Sequence, residues 1–166
     1  MAIRSKIILL IGALMSIVCW SGCASRSAND YCKKLTVPAS FKVYLFVTNE
    51  YNPPAEIRDA LEHNTTYALL QLNQEVKVIN SAEANGNDGI LLQIDITGSL
   101  RSGMSKRIDV RYQVVNNASH EVMLKEKDAA SSKLGYNKIV IKLGRNIGHR
   151  VDDMIRCIQG NGKATP

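Results

Sequence analysis

The sequence predicts an α+β fold: a two-layer sandwich in which a mixed, mostly antiparallel sheet carries two helices on one face. Three observations lead there. From Ile90 to Val114 apolar and polar residues alternate, the period of strands with one buried and one solvated face. From Val140 to Ile158 apolar residues recur at helical spacing. Ahead of both, a strand, a helix and a shorter strand succeed one another between Phe41 and Asn80. That order makes a parallel strand pair with a right-handed crossover.

The elements follow in order. Phe41 to Val47 is apolar on both faces, so this strand belongs inside a sheet rather than at its edge. Asn52-Pro53-Pro54 marks a helix start, with Asn as cap and Pro in the first turn. Ile57, Ala60, Leu61, Ala68, Leu69 and Leu72 then share one helical face. Glu75 to Asn80 reads as a short strand, and Asn85 to Gly89 as a turn. Ile90, Leu92, Ile94, Ile96 and Leu100 alternate with Gln93, Asp95, Thr97 and Ser99. Ile108, Val110, Tyr112 and Val114 alternate with Arg107, Asp109, Arg111 and Gln113, and the two runs form a hairpin about 101–105. Asn116-Asn117 turns the chain into His120 to Lys127, with Val122 and Leu124 expected inward. Asp128 to Asn137 reads as a polar loop. The last helix begins near Lys138, with a short strand over 138–143 as an alternative start, and Gly160 can end it. Gly144 and Gly148 within it are expected to allow close approach to the sheet, with Asp152 and Asp153 on the far side.

The chain has 166 residues, which suits one folded domain, and only two Phe and one Trp, which predicts an aliphatic core. Its formal net charge is +6; Arg4 and Lys6 supply two of these charges, and the remainder carries +4. Along the strands the basic residues alternate with Asp and Glu, and no dense Lys/Arg stripe or aromatic-basic motif is read there, so nucleic acid is not an expected partner.

Residues 1–22 have the zones of an export signal: basic Met1 to Lys6, apolar Ile7 to Trp20, then small Ser21-Gly22. The apolar run is short for a membrane span. Ser21-Gly22-Cys23 resembles the lipobox of bacterial lipoproteins, in which small residues precede an acylated cysteine. That family usually carries Leu where Trp20 stands. The resemblance implies cleavage before Cys23, acylation of Cys23 and attachment to a membrane. Ala24 at the second mature position implies the outer membrane, facing the periplasm. An uncleaved anchor helix or an ordinary signal peptide are the alternatives. Residues 23–36 would then be a tether, 37–160 the domain and 161–166 a flexible tail.

Of the four cysteines, Cys19 leaves with such a leader and Cys23 is lipidated, which leaves Cys32 and Cys157 in an oxidising compartment. They are expected to form a disulfide; two buried free thiols are the alternative. The element order is also similar, in topology only, to small envelope domains such as the amino-terminal domain of TolB and the lipoprotein LptE.

No catalytic, metal or cofactor site is expected. His63, His120 and His149 stand in different elements without metal-spaced partners. There is no nucleophile elbow and no phosphate-binding loop. Asn64-Thr65-Thr66 and Asn117-Ala118-Ser119 match glycosylation sequons, chance matches given the bacterial origin that the lipobox resemblance implies. The remaining candidates are Asp95, Arg107, Asp109 and Arg111, which share the polar sheet face as ion pairs or as a docking surface. The expectation is a non-catalytic envelope accessory lipoprotein that binds another envelope component. The alternatives are a small hydrolase acting on peptidoglycan and a periplasmic module that holds a small apolar ligand between the layers.

Overall fold

The computed structural model describes residues 32, 34–49, 55–81 and 88–160. The chain divides into two units, Met1–Lys34 and Leu35–Pro166. In the second unit the order is β1 (Val43–Asn49), α1 (Ala55–Gln71), β2 (Val76–Val78), β3 (Ile90–Ser102), β4 (Ser105–Asn116), β5 (Val122–Ser132) and α2 (Tyr136–Gly160). The five strands make one sheet in the order β2-β1-β3-β4-β5. β1 runs parallel to β2 and to β3, and the remaining pairs are antiparallel. This is the expected α+β sandwich with a mixed sheet. β1 has neighbours on both sides, as its two apolar faces require.

The inner sheet face and the two helices share one aliphatic core. Leu45, Leu92 and Val114 stand in one cross-strand row, and Val47, Ile94 and Tyr112 in the next, all buried. α1 presents Ile57, Leu61, Thr65 and Leu69, one residue per turn on a single face. The Thr65 hydroxyl satisfies itself by donating to the Leu61 carbonyl at 2.8 Å. α1 ends in a left-handed cap: Asn73 has φ 62°, Asn73 N–H donates to the Leu70 carbonyl and Gln74 N–H to that of Leu69. α2 buries Ile139, Val140, Leu143, Ile147, Val151, Met154, Ile155 and Ile158, the periodic set read from the sequence.

Several details depart from the expectation, each for a local reason. The hairpin strands run on to a two-residue turn at Gly103-Met104, with Gly103 at φ 56°. A bulge between Ile96 and Gly98 changes the facing of all that follows. Leu100 therefore pairs with Arg107 on the outer face and is exposed, not buried. A second bulge, between Val114 and Val115, does the same in β5: Met123 is fully buried, while Val122 is exposed. Residues 128–132 are strand, not loop, because Ala130 packs into the core opposite Ile108. There is no strand over 138–143; α2 starts earlier, at Tyr136.

The glycines of α2 serve helix–helix contact, not approach to the sheet. A Cβ on Gly144 would lie 2.8 Å from the Asn64 carbonyl carbon and the Thr65 nitrogen, and one on Gly148 would lie 2.8 Å from the Ala68 Cβ. The two helices therefore run side by side in the same direction. Asp152 is buried, not outward: it accepts from Gln74 Nε2 at 2.8 Å and pairs with Arg156 at 2.6 Å.

Candidate functional site

The outer sheet face, opposite the helices, grades from apolar to charged. One end carries the buried cluster Tyr44, Ile79 and Leu91, with Phe46 and Val115 against it. Lys42 and Lys77 lie over the Tyr44 ring at 6.0 and 5.9 Å. The Tyr44 hydroxyl donates to Asp88 at 3.0 Å, and that bond raises its pKa above the ordinary tyrosine value. Next comes a polar ladder. Gln113 donates to Gln93 at 3.3 Å, Gln93 to Asp95 at 3.3 Å, and the Thr48 hydroxyl also to Asp95.

The structure brings together the four residues singled out on this face, as two pairs. Asp95 and Arg111 are register partners and approach to 3.5 Å. Arg107 binds Asp109 through Nε at 2.9 Å and Nη2 at 2.7 Å, and this bond raises the arginine's pKa. The pairs differ in burial. Asp95 is only 7% exposed, beneath Arg111, whereas Arg107 stands in solvent. Asp95 is thus part of the structure of the face rather than of its solvated surface. Lys125 and Lys127 of β5 extend the face, opposite Gln113 and Arg111, and both are exposed. The exposed charge on this side is therefore mainly positive. Lysines also suit β5, because an eleven-residue edge strand is otherwise open to unwanted pairing.

Sequence reading missed the partners that fix these groups. Thr48 lies on β1, far from the hairpin in sequence, and only the parallel register sets it beside Asp95. On the inner face, Tyr112 donates to Glu126 at 2.5 Å, with Arg150 of α2 at 3.8 Å from the same carboxylate. Burial, then the bond to Glu126, pushes the Tyr112 hydroxyl well above its ordinary pKa. Asp128 accepts from Asn146 at 3.1 Å. Both contacts dock α2 on the edge strand.

Cys23 lies outside the described residues. Cys32 and Cys157 are disulfide-bonded. His63 on α1, His149 on α2 and His120 in the connection between β4 and β5 are all exposed and apart in the chain. No group of three or more His, Cys, Asp or Glu suited to a metal ion occurs among the described residues. No helix among them is long and apolar enough to cross a membrane. A cleft of about 370 Å³ lies at the amino-terminal ends of both helices, lined by Ile57, Lys106, Tyr136 and Val140 among others. A groove of about 420 Å³ runs between the helices, lined by Tyr67, Ala68, Leu72, Ile141, Arg145 and His149 among others.

No family model and no curated protein matches the sequence. Solved structures do match the fold. Protein XCC0632 from Xanthomonas campestris, of the DUF330 family, aligns with a TM-score of 0.54 at 10% identity, over 74% of this chain and 87% of its own. Protein CT253 from Chlamydia trachomatis aligns with a TM-score of 0.53 at 14% identity, over 70% of this chain and 98% of its own. PelC from Paraburkholderia phytofirmans, a dodecamer, aligns with a TM-score of 0.50 at 10% identity, over 66% and 93%. At such identities the likeness establishes the fold and nothing finer.

Proposed function

We propose that this chain is a non-catalytic lipoprotein of the bacterial envelope, anchored through acylated Cys23. It acts as an accessory factor by docking a protein partner on the outer face of its sheet. The observation that carries the reading is that face itself. Both helices cover the other side, and this side displays Arg107, Arg111, Lys125 and Lys127 over a hydrogen-bonded frame of Thr48, Gln93, Asp95 and Gln113. A charged face on a rigid frame orients a partner of opposite charge and costs little to desolvate at its rim. The lipobox Ser21-Gly22-Cys23 supports the address, and the disulfide fits an oxidising compartment.

The test is crosslinking in intact envelopes with the wild-type chain and with Arg107→Glu/Lys127→Glu. Both positions are exposed, so the fold should persist. Loss of the crosslinked partner, with an unchanged denaturation midpoint, is the expected result. Equal capture by the two proteins would remove this face from the mechanism.

A further inference from the structure

The exposed side of α2 carries a second basic surface. Lys138, Lys142, Arg145, His149 and Arg156 are spaced by 4, 3, 4 and 7 residues, so they form one stripe along the helix, and all five are exposed. The stripe is about 27 Å long at 1.5 Å per residue. Lys138, Lys142 and Arg145 make no ion pair among the described residues. Asp153 is the one exposed acid on α2. Beside the stripe stand two exposed apolar or tyrosyl side chains, Ile141 at 44% and Tyr67 at 59%. Both line the groove between the helices, together with Arg145 and His149 of the stripe. The core needs none of these groups, since α2 already buries its opposite side.

We infer that this helical face lies on the surface of an anionic bilayer. The occupant follows from chemistry. Lys138, Lys142 and Arg145, cations with no ion pair among the described residues, with apolar and tyrosyl side chains at their flank, match phosphate headgroups above acyl chains. The inference deepens the anchor reading by naming the side that meets the membrane.

The test uses the full chain purified from envelopes, mixed with vesicles of phosphatidylcholine alone or of phosphatidylcholine with phosphatidylglycerol. A water-soluble amine-acylating reagent labels lysines, and peptide mass spectrometry reads the rate at each site. Three cations near an anionic surface should shift occupancy on the order of a hundredfold. Lys138 and Lys142 should thus label at least about tenfold more slowly on the anionic vesicles. Lys125 and Lys127 should be unaffected. Arg145→Glu, or 0.5 M salt at about a 4 Å screening length, should restore labelling. Equal labelling of Lys138 and Lys142 on both vesicle types would overturn the inference. So would protection at Lys125 and Lys127 instead, or protection without vesicles that grows with protein concentration and marks a second copy as occupant. Flotation with the uncharged vesicles reports the acyl anchor separately. A chain that fails to float there yet is protected on anionic ones would refute the anchor and retain the face.

Discussion

Gly144 should be irreplaceable even by alanine, although alanine is the better helix former. In an open helix, Gly→Ala gains about 1 kcal/mol. Here the added Cβ would sit 2.8 Å from two backbone atoms of α1, against an ordinary contact of at least 3.4 Å. Backbone cannot rotate away as a side chain can, so α1 and α2 would have to part by roughly 0.6 Å along their shared seam. Overpacking of this kind costs about 1–3 kcal/mol. The net effect of Gly144→Ala is a loss of up to about 2 kcal/mol, equal to a midpoint up to about 1 M lower in urea. Gly160→Ala is the control, because among the described residues nothing lies within 4 Å of its Cβ position. Urea titrations followed by circular dichroism measure both. A Gly144→Ala midpoint above wild type, the uncompensated helix gain, would refute the close helix seam.

Three further outcomes are expected. Arg111→Glu sets a carboxylate beside buried Asp95 and should cost about 2 kcal/mol, whereas Arg107→Glu breaks an exposed pair and should cost less than about 1 kcal/mol; equal losses in thermal melts would contradict the burial difference. Labelled palmitate should enter the wild-type chain and not Cys23→Ala, and equal incorporation would end the lipobox reading. Burial raises the Glu62 pKa above 4.5, so its ionised form weakens the fold; Glu62→Gln should raise the denaturation midpoint at pH 7, and its advantage should vanish as pH falls below 4.5, where wild type regains the proton. A pH-independent gain would show that charge is not the cause.

The sequence carried the strands and helices because each element buries one face, and burial on one face writes its own period into the chain. Ile90 to Ile96 and Val140 to Ile158 could be read directly on that account. What escaped was every place where one residue alters the count. The bulge before Gly98 turns Leu100 outward, and Met123 is the extra residue that turns Val122 outward. Neither leaves a local mark, because only the partner strand shows which residue is unpaired. Gly144 and Gly148 were visible, but their partner was not. A small residue announces close approach without saying to what. The same holds for the outer face. Alternation put Asp95, Arg107, Asp109 and Arg111 on one side, yet the burial of Asp95 depends on Thr48 from a strand paired only through the crossover. The basic stripe of α2 was present in the spacing of its Lys and Arg, and became meaningful once α1 was placed alongside.

The two basic surfaces lie on opposite layers, and that separation decides whether they can act independently. A helix is about 10–12 Å across, and the sheet backbone lies about 10 Å below the helix axes. A bilayer touching α2 is then roughly 15–20 Å from the side chains of Arg107 and Lys127. At physiological ionic strength the screening length is about 8 Å, so headgroup charge is attenuated about sixfold or more at that distance. The sheet-face cations contribute little to membrane attachment and remain available to a partner in the aqueous phase. Arg107→Glu/Lys127→Glu should therefore abolish partner capture without changing the protection of Lys138 and Lys142. Arg145→Glu should do the reverse. If either variant impaired both readouts while remaining folded, the two faces would have to belong to a single binding event, and the assignment of one layer to the membrane and the other to a protein would fail.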